Sequence, residues 1–224
     1  NIIATLLLTL VKELGSIVTL SFETIKWFFK PPFRWHLYAK SMEFIGINSI
    51  FIVVLTGIFT GMVFALQTGR ILQRFSAGSA VGAIVAISLA RELAPVLTSL
   101  MVTARAGSAM AAQIVTMKVT QQIDALNVMA VDPIHYLVVP RVIASVIMLP
   151  LLTGLCDFIG VLGSYLVAVK LLGVNEAVFL NDIYVIVNSS DIMQGLEKSA
   201  IFGYIIAIVG CYKGINTTGG AEGV

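Results

Sequence analysis

Arg91 and Glu92 stand side by side inside a long apolar run, and their types and place could do chemistry. Ionised side chains deep in a membrane-length segment are costly and face protein, water or ligand rather than lipid. Neighbouring residues on a helix point about 100° apart, so the two do not simply pair with each other. Pro95 adds a third group. A proline deprives the carbonyl four residues earlier of its hydrogen bond, and that carbonyl belongs to Arg91. A guanidinium, a carboxylate and a freed carbonyl at one level suit recognition of an anion such as a phosphate in a lipid-lined cavity. They equally suit a salt-bridge network to other helices, and both readings stand at this stage. Gln67, at the far end of the preceding apolar run, joins Arg91 and Glu92 as a candidate lining residue.

No catalytic or metal site accompanies them in the sequence. Glycine is plentiful, yet nothing matches a phosphate-binding loop with its Lys and Ser/Thr between a strand and a helix. No serine or cysteine has a plausible histidine partner, and His36 and His135 lie in basic or aromatic settings. Cys156 and Cys211 sit in apolar runs without metal-ligand spacing. Energy for any transport must therefore come from elsewhere, and a membrane subunit without its own ATPase needs a cytoplasmic protrusion for one to grip. The stretch near 119–131 is the candidate: Val119, Ile123, Leu126 and Ala130 form an apolar stripe opposite Thr120, Gln121, Asp124 and Asn127. Within it, Gln122, Asp124, Ala125, Leu126 and Met129 are the expected contact residues. The plainer reading is an interfacial helix between two spans.

The elements that position these residues are membrane helices. The chain of 224 residues is 58% hydrophobic and 12% charged, with a mean hydropathy of +0.98, which excludes an ordinary soluble domain. The net charge of +2 gives no reason to expect nucleic acid. Several runs reach the ~20 apolar residues that span a bilayer, and none shows the alternation of a membrane barrel. Phe44–Leu66 is the first clear span, with Gly57 and Gly61 at the spacing of closely packed helices. A short loop from Gln67 past Arg74 to Gly78 follows. Gly82 to about Lys118 reads as one helix of about 55 Å, which places Arg91 near mid-bilayer and Arg105 near the inner interface, its head in water. Asp132-Pro133 reads as an N-cap with proline at the first helical position, opening a helix to about Lys170 with kinks at Pro140 and Pro150. Asp157 within it is expected to make a polar contact to a neighbouring helix. Residues 171–195 read as a partly ordered or re-entrant segment, and Gln194–Tyr212 as the last span.

Residues 1–30 repeat polar groups at Thr5, Thr9, Lys12, Ser16, Thr19, Glu23, Lys26 and Lys30, one stripe down a helix. This suits a helix lying in the interface better than a first span with a polar seam. Pro31-Pro32 ends it, and Trp27, Arg34 and Trp35 belong to an aromatic and basic membrane anchor. The excess of Lys and Arg there predicts a cytoplasmic N-terminus. The division is thus 1–40, interfacial helix and anchor, and 41–224, the transmembrane part.

RELAP, ARAGSAMAAQ, QQIDAL and MAVDPIHYLVVPR resemble the MlaE (YrbE) permease family, most specifically over 91–141 and more loosely over 44–220. That resemblance implies an all-α integral membrane protein with about four membrane helices here and a fifth beyond Val224. It implies the permease subunit of an ABC transporter that moves phospholipids between the bacterial inner membrane and a periplasmic MCE-domain protein, a hexamer in such systems. Further implied partners are a second copy of the chain, an ABC ATPase dimer that supplies ATP and magnesium, and a STAS-domain protein. The segment near 119–131 would be the coupling helix. The chain would have no cofactor of its own. The alternatives from the residues are a proton-coupled secondary lipid transporter using Glu92 and Asp157, and a scaffold without transport; no inverted repeat favours the former.

Overall fold

The computed structural model describes residues 2–28, 34–75 and 77–217, and every regular element among them is helical. In order these are α1 (Ile2–Phe28), α2 (Trp35–Ile45), α3 (Ile50–Arg74), α4 (Val81–Val119), α5 (Gln122–Val128), α6 (Ile134–Leu171), α7 (Glu176–Ile186) and α8 (Ser189–Asn216). Four stretches are long and apolar enough to cross a membrane: Trp35–Arg74, Val81–Val119, Ile134–Leu171 and Ser189–Asn216.

The core of the bundle is a contact between α3 and α6 made through backbone. Val53, Gly57, Gly61, Ala65 and Gly69 are buried at four-residue steps, a single ridge of small groups. A Cβ on Gly61 would overlap the carbonyl oxygen of Gly160, and one on Gly163 would sit 2.5 Å from that of Ile58. The glycine pair expected to permit close approach does so. Gly57 faces Cys156 and Gly61 faces Gly160, so α3 and α6 run in the same direction. α8 runs against α6, with Gly203 on Ser145 and Leu196 beside Gly154. The four spans therefore alternate up and down, with α5 at one end of the bundle and α7 at the other.

The first span is longer than expected at both ends. It begins in α2, whose Tyr38 is buried, and turns through Ile47–Ser49 into α3. At the other end the expected loop from Gln67 is helix through Arg74. Gly69 packs on Leu172, and Gln73 donates through Nε2 to the Leu172 carbonyl at 3.0 Å, which holds those extra turns in place.

Prolines widen the helices locally. Before Pro95 the turn Leu89–Leu93 is a π-turn, in which the Ala94 N–H donates to the Leu89 carbonyl. Ile134–Val138 does the same before Pro140, whereas Pro150 lies within regular α-helical turns. A wider turn makes room for the proline ring, so the break expected at Pro140 takes this form, and no such turn marks Pro150, where another was expected. Asp132 caps α6 as expected, accepting from the Ile134 N–H at 2.8 Å.

Residues 171–195 are more ordered than the sequence suggests. Asn175 caps α7 by accepting from the Ala177 N–H at 2.9 Å, and Phe179 is fully buried against Gly82 and edge-on to Tyr165. The last span opens at Ser189, earlier than Gln194, because Asn188 and Asp191 form a capping box.

α1 crosses the α5 end of the bundle. Glu13 pairs with Lys213 at 3.0 Å, and Trp27 stacks on His135 with ring centroids 5.1 Å apart. By the α6–α8 register, His135 and Lys213 lie at the same level. Fourteen residues, ~21 Å of helix, thus separate two contacts at one height, so α1 lies across the spans. Lys12, Ser16, Thr19, Glu23 and Lys26 keep their polar stripe exposed, while Leu14, Val18, Phe22 and Ile25 form an exposed apolar edge. That cross-section is the one an interfacial helix requires. The Thr5 and Thr9 side chains, Lys30, Pro31-Pro32 and the tail beyond Thr217 lie outside the described residues.

Two outcomes follow. Gly61→Ala should lower the thermal transition of the purified protein in detergent, by about 1–3 kcal/mol of overpacking, while Gly15→Ala, with nothing within 4 Å, should not. Single cysteines at Lys12 and Lys26 should react with an impermeant thiol reagent from the same side of the membrane. Labelling from opposite sides would show that α1 crosses.

Candidate functional site

The charged site lies where the π-turn of α4 meets the first three turns of α8. Arg91 donates through Nε to Asp191 Oδ1 at 2.7 Å, and Nη2 reaches the same oxygen. Asp191 is 3% exposed and its other oxygen accepts from the Asn188 N–H at 3.0 Å, so one carboxylate caps α8 and holds the arginine. Lys198, two turns further along α8, donates to the Arg91 carbonyl at 2.9 Å and to Glu92 Oε1 at 2.6 Å. The carbonyl that Pro95 frees therefore has a partner, an ammonium from another helix. Backbone contact brings these groups together: a Cβ on Gly195 would overlap the Ala90 carbonyl oxygen.

The arrangement is two crossed ion pairs around a backbone carbonyl, a latch between α4 and α8. It is not sealed. Arg91 remains 46% exposed and Glu92 68%, and the Nη1 side of the guanidinium makes no hydrogen bond among the described residues. The site can thus hold two helices together and still offer donors to an anion.

Asp191 and Lys198 are the partners that sequence reasoning missed. The run Asn188-Ser189-Ser190-Asp191 carries a capping-box spacing that could have located Asp191. Lys198 follows it by seven residues, two turns on the same face. Gln67 is not brought to the latch. It is exposed on α3, six residues beyond Gly61, whose partner Gly160 packs on Leu89. That offset puts it ~9 Å past the level of Leu89, on the side away from Arg91.

Arg105 departs from the expectation that its head reaches water. A second π-turn, Thr103–Gly107, turns it inward. It donates to Ser49 Oγ at 2.9 Å and to the carbonyls of Phe44 and Ile45, which the break at Gly46 leaves without helical partners. Arg105 thus caps α2. Asp157 makes no polar contact of the expected kind, since both carboxylate oxygens are buried without a hydrogen-bond partner among the described residues. Among the described residues no three His, Cys, Asp or Glu gather as a metal site.

At the opposite end, α5 is shorter than the amphipathic stretch read from the sequence. Gln121 and Ala130 take left-handed backbone, φ 58° and 57°, and bracket it. Ile123 and Leu126 are half-buried as the stripe requires, but Val119 and Ala130 are exposed, because the chain leaves helical geometry beside each. Gln122, Asp124, Ala125 and Met129 are exposed, as is Val128 at 88%.

Comparison with known proteins resolves the class. The family described as Permease MlaE matches residues 38–224. A probable ABC transporter permease protein of Rickettsia felis is 43% identical over 95% of this chain and 82% of its own length. One from Synechocystis is 46% identical over 83% and 70%. The Arabidopsis thaliana chloroplastic protein trigalactosyldiacylglycerol 1 is 38% identical over 87% of this chain and 56% of its own. With four membrane-length helices and these relatives, the chain is a multi-pass permease of the ABC type, and it belongs to the MlaE permease family.

Proposed function

We propose that this permease moves phospholipids, driven by a separate ATPase, and that the latch is where the lipid headgroup is handled. The observation that carries this reading is the half-exposed Arg91 at the α4–α8 junction, with guanidinium donors to spare amid apolar helix surface. A phosphate there would gain charge-assisted hydrogen bonds, of order 1.5–3 kcal/mol net. A relative named for a glycerolipid supports a lipid substrate. Glu92, paired with Lys198 and still exposed, positions a headgroup or meets the second copy of the chain.

On this reading the α5 end faces the cytoplasm of a bacterial inner-membrane system. Lys12, Lys26, Lys40, Lys118 and Lys213 lie exposed at that end, in accord with the positive-inside rule. α5 docks the ATPase, with Val128 and Met129 as apolar contacts beside Gln122, Asp124 and Ala125. Two ATPases need two docking helices, hence a symmetric homodimer. A periplasmic MCE-domain partner covers the α7 end, and a STAS-domain protein belongs on the ATPase side.

Two sets of variants test this. Arg91→Ala and Glu92→Ala should each abolish lipid transport in proteoliposomes and reduce co-purified lipid, while assembly with the ATPase survives. Arg91→Ala leaves Asp191 buried without its cation, so Arg91→Ala/Asp191→Asn is the decisive companion. A purely structural latch predicts that the double variant recovers transport; a phosphate-binding Arg91 predicts a stable complex that stays inactive. At the other end, Asp124→Lys or Ala125→Trp should weaken ATPase co-purification about tenfold or more, leaving the isolated permease monodisperse. Unchanged binding and transport in both would remove α5 from the coupling role.

A further inference from the structure

A cavity of about 650 Å³ opens at the α5 end between α2, the last turns of α4 and the first turns of α6. Small-molecule sites commonly span roughly 300–1,000 Å³. Its lining mixes two chemistries. Lys40 comes from α2 and Arg141 from α6, and neither forms an ion pair among the described residues. Arg141 donates through Nη1 to the Leu137 carbonyl at 3.0 Å and through Nη2 to Gln113 Oε1 at 3.3 Å, which fixes its direction without neutralising it. Lys40 makes no hydrogen bond among the described residues. A third cation sits at the rim, where the Arg34 guanidinium lies 5.0 Å from the ring centroid of Tyr136, itself a lining residue. Glu43, the nearest acid along α2, is exposed and pairs with none of them. Phe44 and Ile45, a turn further along α2 from Lys40, and Leu137, a turn before Arg141, supply apolar lining beside the cations.

Uncompensated cations against a greasy wall match a molecule that is anionic at one end and hydrocarbon at the other. We propose that this cavity binds an anionic phospholipid of the leaflet on the α5 side. Its phosphate lies between Lys40 and Arg141, and its first acyl carbons lie against Phe44 and Ile45. The site is separate from the latch: by the α6–α8 register Lys198, the latch residue nearest to it, stands level with Leu151, ten residues or ~15 Å of helix from Arg141. Gln122, the first residue of α5, also lines the cavity, so the occupant touches that helix directly. Binding here does not depend on transport through the latch, and the two are read by different measurements.

The test is native mass spectrometry of the purified full chain, titrated with phosphatidylglycerol or with phosphatidylcholine. The intact protein should bind phosphatidylglycerol more tightly, and Lys40→Gln and Arg141→Gln should each weaken that binding about tenfold, the scale of one charge-assisted hydrogen bond. Lys40 braces nothing, so its variant decides the matter should Arg141→Gln fold poorly. Arg70→Gln removes an equal charge from the opposite end of the bundle and should leave binding unchanged. Equal loss in Arg70→Gln, or undiminished phosphatidylglycerol binding in Lys40→Gln, would overturn the proposal. So would calorimetric binding of inorganic phosphate that the two cavity substitutions abolish while lipid adducts persist, since the site would then belong to a free anion.

Discussion

The hydrogen bond from Lys198 to the Arg91 carbonyl is the constraint around which the charged centre is built. A proline in the middle of a membrane helix leaves an acceptor that lipid cannot satisfy. The π-turn before Pro95 accommodates the ring but does not restore that bond, so a donor has to come from another helix. Lys198 can reach because Gly195 lets α8 lie directly on α4. Once an ammonium is committed there, Glu92 balances it, and Asp191 does the same for Arg91 while closing the first turn of α8. Each charge is therefore the answer to a vacancy created by its neighbour.

The same logic recurs at Arg105. At the break at Gly46 the Ser49 hydroxyl donates to the Ile45 carbonyl, and a guanidinium on the adjacent long helix donates to the Phe44 carbonyl and, at longer range, to that of Ile45. Two of the basic residues within the apolar spans are thus tied to backbone discontinuities, one at a proline and one at a glycine. Arg91, whose own carbonyl is the one Lys198 fills, keeps exposed guanidinium donors that neither break consumes, which separates a candidate binding group from a cap.

What was legible in the sequence was local. The freed carbonyl follows from Pro95 alone, the cap of α6 from Asp132-Pro133, and the close-packing ridge from the spacing of Gly57 and Gly61. The partners of those features lie about a hundred residues away, and no local rule names them: Lys198 for the carbonyl, Gly160 for Gly61. Arg105 was misread for a related reason. The direction of its head depends on a helix break sixty residues earlier, which no spacing around Arg105 announces. Gln67 was grouped with Arg91 by its place at the end of a run, and the α3–α6–α4 register puts it on another level. The length of α5 was overestimated because hydrophobic periodicity carries no mark of the left-handed residues Gln121 and Ala130.

The glycine contact between α3 and α6 has a mechanical consequence. Where backbone touches backbone, with Gly61 on Gly160 and Gly163 on Ile58, sliding by a fraction of a turn brings side chains into collision, so the pair moves as one stiff plank. The α4–α8 junction has the same kind of contact at Gly195 and Ala90, but it also carries salt bridges whose long side chains can exchange partners while the backbones stay in register. Glycine thus sets the spacing of the spans in both places, and what is free to change between them is which partner each of four charged side chains takes.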